Sequence, residues 1–146
     1  MKRNNRKYYA AYDERYKTAH SNGVSWSSNV STPIVMEVID KYKINQQHSM
    51  LEIGCGEGRD SKTVLEHGFP LMATDISEEA IAYCKRQMPR YENHFSVLDC
   101  LSDAPEETFD FIFAIAVVHM LVLDADRDGF YQFIRSHLTA NGIALI

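Results

Sequence analysis

The sequence predicts a three-layer α/β domain built around a mainly parallel β-sheet. Two patterns indicate this fold: short apolar segments alternate with amphipathic ones, and an acid recurs at the end of an apolar segment. The acids Glu52, Asp75 and Asp99 are spaced 23 and 24 residues apart, about the length of one strand with its following helix. Alternating strands and helices favour parallel pairing through right-handed crossovers, with helices on both faces of the sheet.

The predicted strands are short and mainly apolar. We expect them over residues 49–53, 71–74, 95–98, 109–116 and 143–146. Ligands of such sheets bind beyond the carboxyl ends of the strands, so the three acids are expected at the binding edge.

Four helices are predicted from apolar residues that recur at helical spacing. They cover residues 33–42, 60–67, 77–87 and 127–138. The third has Ser77 as its capping residue and Glu78 in its first turn, and the fourth is expected to end at Asn141 and Gly142.

The composition is that of an ordinary globular protein. Of 146 residues, 45 % are hydrophobic and 24 % are charged, which excludes disordered and fibrous classes and predicts a sizeable core. The longest apolar segment, near residues 111–118, is far shorter than the roughly 20 residues of a membrane-spanning helix. The basic start lacks the apolar segment of a secretory signal, so we expect a cytoplasmic protein.

The charge distribution argues against a nucleic-acid partner. The net charge is −5, yet four of the fifteen basic residues lie in the first seven positions. The remainder carries eleven basic against twenty acidic residues, and such a body repels a nucleic-acid backbone. A short basic terminus is more often solvated than bound to RNA or to an acidic surface.

The three cysteines, Cys55, Cys84 and Cys100, are an odd number without a Cys-x-x-Cys pair. This argues against both a disulfide framework and a metal site, and reduced thiols agree with a cytoplasmic location. We interpret Cys55 and Cys100 as small packing residues.

Three glycines at alternate positions follow the first predicted strand. Gly54, Gly56 and Gly58 form a segment, here called the glycine turn (54–58), that predicts a nucleotide-binding site. A chain that turns sharply into a helix beneath a ligand has no room for Cβ atoms, and the helix then offers free N–H groups. The dinucleotide pattern Gly-x-Gly-x-x-Gly would need glycine at position 59, where the chain has Arg59.

From Glu52 to Gly58 the sequence resembles the first motif of the class I S-adenosylmethionine-dependent methyltransferases. The motif is an acid, one residue, then Gly-x-Gly-x-Gly. The resemblance covers about residues 33–146. Within the family, the sequence is similar, in general motifs only, to the tellurite-resistance and thiopurine enzymes. It implies a Rossmann-like methyltransferase fold, S-adenosylmethionine as cofactor and S-adenosylhomocysteine as product. We therefore expect a cofactor-binding domain over residues 31–146.

That family has seven strands in the order 3-2-1-4-5-7-6, whereas five are predicted here. The domain is therefore expected to be truncated after the fifth strand, as a shortened chain or a natural truncation. An unpaired sheet edge would favour self-association.

The resemblance implies a set of cofactor-binding residues. It comprises Glu52, Gly54, Cys55, Gly56, Gly58, Asp75, Ile76, Asp99, Cys100 and Ala114. Asp75 would accept both ribose hydroxyls, and its alternative is a turn or capping aspartate. Asp99 would contact the adenine amino group and the Cys100 backbone a ring nitrogen, while the alternative for Asp99 is a loop residue. Ala114 would lie near the methionine moiety.

The segment 1–30 is expected to form a lid over the cofactor. Tyr8, Tyr12 and Tyr16 share one helical face, and Tyr16 and Trp26 are candidate lid contacts. Packing is the alternative for such aromatic residues. His119, just after the fourth strand, is a candidate site-lining residue rather than a base.

Arg59 and Asp60 begin the helix that follows the glycine turn. They are candidates for holding the methionine end of the cofactor. For Asp60, the alternative is a helix-capping role.

The predicted function is methyl transfer from S-adenosylmethionine to a small-molecule acceptor. Such a displacement needs orientation more than acid–base help, so the acceptor leaves little mark in the sequence. Two alternatives remain open: a nicotinamide-dependent oxidoreductase, disfavoured by Arg59 and Asp99, and a module that binds the cofactor without chemistry. The acceptor, the oligomeric state and the physiological role stay open at this point.

Overall fold

A five-stranded sheet, parallel throughout, forms the middle layer of the protein. The computed structural model describes residues 7–28 and 30–146, so most of the basic start lies outside the described residues. The strands are β1 (Met50–Ile53), β2 (Leu71–Asp75), β3 (Phe95–Val97), β4 (Phe109–Phe113) and β5 (Leu138–Leu145). Their order is β3-β2-β1-β4-β5, and every neighbouring pair is parallel. The predicted α/β fold is confirmed.

Five helices are described around the sheet. They are α1 (Ala11–Ser21), α2 (Pro33–Lys41), α3 (Arg59–Glu66), α4 (Glu78–Gln87) and α5 (Asp124–His137). Short 3-10 turns cover Tyr8–Ala10, Pro89–His94 and Val118–Met120. As predicted, Ser77 caps α4, where its hydroxyl accepts the Ala80 N–H at 3.0 Å. Across residues 7–28 and 30–146, no helix combines the length and the apolar character needed to cross a membrane.

Apolar cores lie on both faces of the sheet, as a parallel sheet between two helical layers requires. On one face, Phe111 and Phe113 of β4 pack with residues of α2, α3 and α4. On the other, Ile112 of β4 packs with Phe130 and Phe133 of α5. Because successive side chains of a strand point to opposite faces, β4 contributes to both cores. The carboxyl ends of the strands are left as the edge where ligands bind in such sheets.

The fourth and fifth strands differ from their predicted bounds. β4 ends at Phe113, and at Ala116 the backbone is left-handed, with φ of 58°, which a strand cannot continue through. β5 begins at Leu138, directly after α5. The prediction that Asn141 and Gly142 end this helix was wrong. Extended backbone at Leu138 stops the helix earlier, and the Asn-Gly pair lies inside β5, where the pairing with β4 shifts register.

Glu52, the acid of β1, is buried between the sheet and α3. The residue is 3 % exposed and accepts a hydrogen bond from Ser61 Oγ of α3 at 2.5 Å. Burial raises the pKa of the Glu52 carboxyl to about 8, although the Ser61 bond acts in the opposite direction. Glu52 therefore keeps a proton at neutral pH in the folded protein.

Replacing Glu52 with Gln should remove a pH-dependent loss of stability. Between its usual pKa of 4.5 and about 8, the folded protein holds a proton that the unfolded chain releases. The free energy of unfolding should therefore fall as the pH rises through this window and level off above it. At 1.36 kcal/mol per pKa unit, the full loss is at most about 5 kcal/mol.

Urea unfolding of both proteins from pH 5 to pH 9 measures this difference. The free energy of unfolding of Glu52→Gln should increase relative to that of the wild type as the pH rises. Glu66→Gln, a change at an exposed residue of α3, is the control and should follow the wild-type curve. Parallel curves for Glu52→Gln and the wild type would contradict the buried, protonated carboxyl.

Candidate functional site

The glycine turn joins β1 to α3 with a left-handed backbone at alternate positions. Gly54, Gly56 and Gly58 have φ of 75°, 55° and 78°. Gly58 is also the capping residue of α3, with no side-chain cap. Residues with a Cβ rarely adopt such angles, which explains why three glycines occur here.

The three glycines face different neighbours. A Cβ at Gly54 would lie 2.4 Å from Val117 Cγ2, and one at Gly56 would lie 2.9 Å from the Tyr16 hydroxyl. A Cβ at Gly58 would lie 2.7 Å from Met88 Cε. Gly56 thus faces the N-terminal lid segment, while Gly58 faces the core.

Asp75, at the end of β2, holds the glycine turn in place. Its carboxylate accepts the Gly56 N–H at 2.8 Å and the Ser77 N–H at 2.9 Å. Burial raises the pKa of Asp75 despite these bonds, which favour the ionised form. The same carboxylate reaches the cavity described below. Asp75 is therefore both a support of the turn and a part of the cavity wall.

Asp99, just after β3, already has four hydrogen-bond donors. Oδ1 accepts the Leu101 N–H at 3.0 Å, and Oδ2 accepts the Ser102 hydroxyl at 2.9 Å and the Tyr9 hydroxyl at 3.2 Å. The Lys7 ammonium also donates to Oδ2 and forms an ion pair with it. Burial alone would raise the pKa of Asp99, but the bonds from Lys7 and Leu101 lower it. Each carboxylate oxygen has about two acceptor positions, so Oδ2 is fully occupied while Oδ1 accepts one bond.

The three cysteines are free thiols in packing positions. Burial raises the pKa of Cys100 to about 12. A hydrogen bond with Cys84, followed by burial, raises the pKa of Cys55 as well. Cys84 Sγ lies 3.3 Å from the Gly56 carbonyl oxygen, beneath the turn. Raised pKa values disfavour thiolates, so neither Cys55 nor Cys100 has the character of a nucleophile.

The lid helix α1 is fixed to the start of α4. Asp13 accepts the Ser77 hydroxyl at 2.7 Å and the Glu79 N–H at 3.1 Å. Tyr8, just before α1, donates to Asp126 of α5 at 2.8 Å. The described part of the lid segment therefore rests on helices from both faces of the sheet.

The connection from α1 to α2 is fixed to the glycine turn. Glu57 accepts the backbone N–H groups of Trp26 and Ser27, the latter at 2.8 Å. Asp60 accepts the Thr32 N–H at 2.5 Å and the Thr32 hydroxyl at 3.1 Å. The capping alternative for Asp60 is not observed, because its carboxylate binds Thr32 instead of the first turn of its own helix.

A cavity lies where the glycine turn, the strand ends and the lid meet. Its volume is about 100 Å³, below the roughly 300–1,000 Å³ of typical ligand pockets. Its wall is formed by Tyr9, Tyr12, Tyr16, Ile53, Gly54, Asp75, Ile76, Leu98, Asp99, Cys100, Leu101, Ala116, Val117, Met120 and Leu121. Tyrosine side chains of the lid fill much of the space, so the structure describes a closed lid.

Half of the predicted cofactor residues line this cavity, together with one predicted lid residue. These are Gly54, Asp75, Ile76, Asp99 and Cys100, with Tyr16 from the lid. The cavity wall does not include Glu52, Cys55, Gly56, Gly58, Ala114, Trp26 or His119. Glu52 and Cys55 are buried, whereas His119 and the Trp26 side chain are exposed. The roles assigned to these residues stay predictions.

The sequence reasoning missed the cavity residues that follow β4. Ala116, Val117, Met120 and Leu121 line the wall, and the predicted strand had extended over the first of them. Their apolar character continues that of the strand, so the composition gave no sign of its end. Tyr9 lies in the wall in place of Tyr8, because the chain enters α1 through a 3-10 turn.

Comparisons with known proteins agree with this geometry. A family model described as a methyltransferase domain matches residues 51–144, which run from β1 to β5 and include the glycine turn and the acids Glu52, Asp75 and Asp99. The chain belongs to this family. It is a class I S-adenosylmethionine-dependent methyltransferase, as predicted, and the family's cofactor is S-adenosylmethionine.

This chain has relatives among curated sequences and solved structures. The probable S-adenosyl-L-methionine-dependent methyltransferase TehB of Haemophilus influenzae is 26 % identical over 119 residues, covering 80 % of this chain and 41 % of the relative. The solved structure of a TehB-like SAM-dependent methyltransferase from Corynebacterium glutamicum has a TM-score of 0.60 and 24 % identity, and the match covers 93 % of this chain and 70 % of that one.

The glycopeptide N-methyltransferase MtfA, solved with S-adenosyl-L-methionine, has a TM-score of 0.63 and 21 % identity. That match covers 75 % of this chain and 47 % of MtfA. At these identities the two solved structures show the shared fold. The chain spans less than half the length of the TehB relative, so activity and acceptor are taken up as proposals below.

Changing Gly58 to Ala should destabilise the methyltransferase more than the same change at Gly23. Both glycines have left-handed φ, 78° and 68°, which costs an alanine roughly 1–2 kcal/mol. A Cβ at Gly23 meets nothing within 4 Å, whereas at Gly58 it meets Met88 and, at 3.0 Å, Cys84. Urea unfolding should show an additional loss of about 1–3 kcal/mol for Gly58→Ala, the usual cost of overpacking. Equal losses for the two variants would show that the contact with α4 relaxes freely.

Proposed function

We propose that this protein binds S-adenosylmethionine in the cavity and transfers its methyl group to a small-molecule acceptor. The observation that carries the proposal is the convergence of Gly54, Asp75 and Asp99 on one cavity at the carboxyl ends of β1, β2 and β3. This is the edge at which sheets of this topology bind nucleotides.

The residues present suit an adenosyl ligand. Asp75 presents a fixed, buried carboxylate to the cavity, which suits the two ribose hydroxyls as acceptor of charge-assisted hydrogen bonds. Gly56 has no Cβ where the turn faces the lid, so a ligand can lie against its backbone. Glu52, buried beneath α3, supports the turn through Ser61 rather than by reaching the cavity.

Arg59 is suited to the methionine end of the cofactor. It begins α3, where the helix N-terminus favours a carboxylate. Its Nη2 donates to the Thr32 hydroxyl at 2.9 Å, while its Nε is buried without a partner. An unpaired buried donor next to the glycine turn supports a role in binding an anionic group.

The role of Asp99 at the adenine requires an exchange of donors. Because Oδ2 of its carboxylate already accepts three donors, an adenine amino group can bind this oxygen only where a present donor leaves. Lys7 is the donor best placed to leave, since its side chain is 47 % exposed and its amine can return to water. Cofactor binding would therefore release the start of the described chain from Asp99.

The protein's part in the reaction is to position the reactants and to exclude water. Bound S-adenosylmethionine supplies a methyl group on a sulfonium, which needs no further activation. The apolar side chains of Val117, Met120 and Leu121, together with the lid tyrosines, would hold an acceptor in line with it and keep water out.

We also propose a cytoplasmic location, supported by the three free thiols.

The outer edge of β5 has no strand paired to it among the described residues. This supports the expectation that the sheet edge favours self-association. The acidic body supports the absence of a nucleic-acid partner.

Calorimetry with S-adenosylhomocysteine and with NAD tests the cofactor. S-adenosylhomocysteine should bind and NAD should not. Asp75→Ala should weaken binding by roughly 1.5–3 kcal/mol, as expected for hydrogen bonds to a charged group, and Asp75→Asn by less, since its amide oxygen can still accept the Gly56 N–H. Asp128→Ala, at an exposed residue of α5, is the control. NAD binding without a response to S-adenosylhomocysteine would overturn the proposal.

Lys7→Met should strengthen the binding of S-adenosylhomocysteine, because the competitor for Asp99 is removed. For a partly exposed ion pair the gain is about 1 kcal/mol, or roughly fivefold in Kd. In the wild type, salt should also strengthen binding by screening this pair, and the variant should lose that response. Lys62→Met, which removes an exposed charge from α3, is the matched control. Unchanged affinity and salt response in Lys7→Met would show that adenine does not displace Lys7.

A further inference from the structure

A histidine of the lid helix lies between carboxylates from two other elements. His20 Nδ1 is 2.7 Å from Glu79 Oε1 of α4, and His20 Nε2 is 3.5 Å from Glu57 Oε2 of the glycine turn. The imidazole also stacks on the Tyr83 ring of α4, with centroids 4.2 Å apart. One side chain of α1 thus contacts both the glycine turn and α4.

Two atoms of this cluster are buried without a hydrogen-bond partner. They are His20 Nε2 and Glu57 Oε2, on side chains that are 8 % and 3 % exposed. A neutral imidazole has one N–H, which the contact with Glu79 uses, whereas the protonated ring has two and can serve both carboxylates. A buried carboxylate oxygen without a donor is costly, so the closed arrangement favours the protonated ring.

We propose that His20 is a positioning residue for the cofactor site: its protonated ring joins Glu57 to Glu79 and so holds the lid helix closed over the glycine turn. This inference rests on the proposed function, because the turn is assigned there to the cofactor. His20 itself does not line the cavity.

The effect reaches the cavity through Tyr16, one helical turn before His20. The two rings are 5.9 Å apart, and the Tyr16 hydroxyl lies over Gly56. Glu57, the residue after Gly56, also accepts the Ser27 N–H of the connection to α2. A change at His20 therefore alters the position of Tyr16 above the turn. It also alters the contact through which Glu57 joins the turn to the lid segment.

The surroundings of His20 contain more negative than positive charge. The glycine turn contributes Glu57 and α4 contributes Glu79, while Arg86 of α4 lies 2.9 Å from Glu79 and offsets part of its charge. Tyr83 of α4 is the remaining titratable neighbour that faces the ring. Hydrogen bonds from His20 and Arg86 lower the pKa of Glu79, so this carboxylate favours a cation beside it.

The proton therefore stabilises the closed lid, and closure should weaken when a rise in pH removes it. A weaker lid raises the KM for S-adenosylmethionine.

The contacts of His20 with Glu57 and Glu79 are here called the latch. Hydrogen exchange of the free protein tests the latch without any cofactor. Protection of the α1 amides, corrected for the intrinsic exchange rate, should be about tenfold lower at pH 8.5 than at pH 6 in the wild type, typical of losing a hydrogen bond to a charged group. His20→Gln should be poorly protected at both values. Glu57→Gln should be protected at both, because its amide can donate to a neutral imidazole.

His67→Gln, at an exposed histidine after α3, is the control and should behave as the wild type. The KM for S-adenosylmethionine should follow the same pattern: pH-dependent in the wild type, and independent of pH in Glu57→Gln. The latch would be overturned if the α1 amides of His20→Gln were protected as in the wild type. It would also be overturned if the protection in Glu57→Gln depended on pH as it does in the wild type. If hydrogen exchange behaves as expected but S-adenosylhomocysteine fails to bind, the latch is supported and the proposed function is contradicted.

Discussion

The hydrogen bond from the Gly56 N–H to the buried Asp75 carboxylate is the contact on which the site depends. It connects two neighbouring strand ends, because Gly56 follows β1 and Asp75 ends β2. The parallel pairing of these strands brings both to the same edge, and the left-handed glycines allow the N–H to point at the carboxylate. Once the turn is fixed in this way, α3, the lid and the cavity all have a defined position relative to the strand ends.

The acids around the cavity share one property: each is an acceptor for the protein's own donors. Asp75 holds the turn, Glu57 holds the connection to α2, and Asp99 holds the start of the lid. The lid is therefore held by polar contacts as well as by the packing of its aromatic side chains. Polar contacts exchange readily with water or with a ligand, which suits a segment that must open and close.

Much of the fold was predictable because its signals are local. Parallel pairing followed from the alternation of strands and helices, the strand order from the resemblance to the family, the turn from the spacing of its glycines, and Ser77 from its capping position. The wall after β4 was not predictable, since a continuous apolar segment hides the left-handed turn at Ala116. The partners of the acids were not predictable either. They come from the lid, dozens of residues distant, and no local pattern connects His20 with Glu57.

The three donors on Asp99 Oδ2 have a consequence for the order in which two substrates would meet the proposed enzyme. Lys7 and Tyr9 keep the lid against Asp99 until a competing donor arrives. Adenine carries such a donor, and an apolar acceptor does not. The cofactor would therefore enter first and free the edge of the lid, and the acceptor would follow through the gap. Steady-state kinetics of this kind are compulsory-ordered, with the methylated product leaving before S-adenosylhomocysteine.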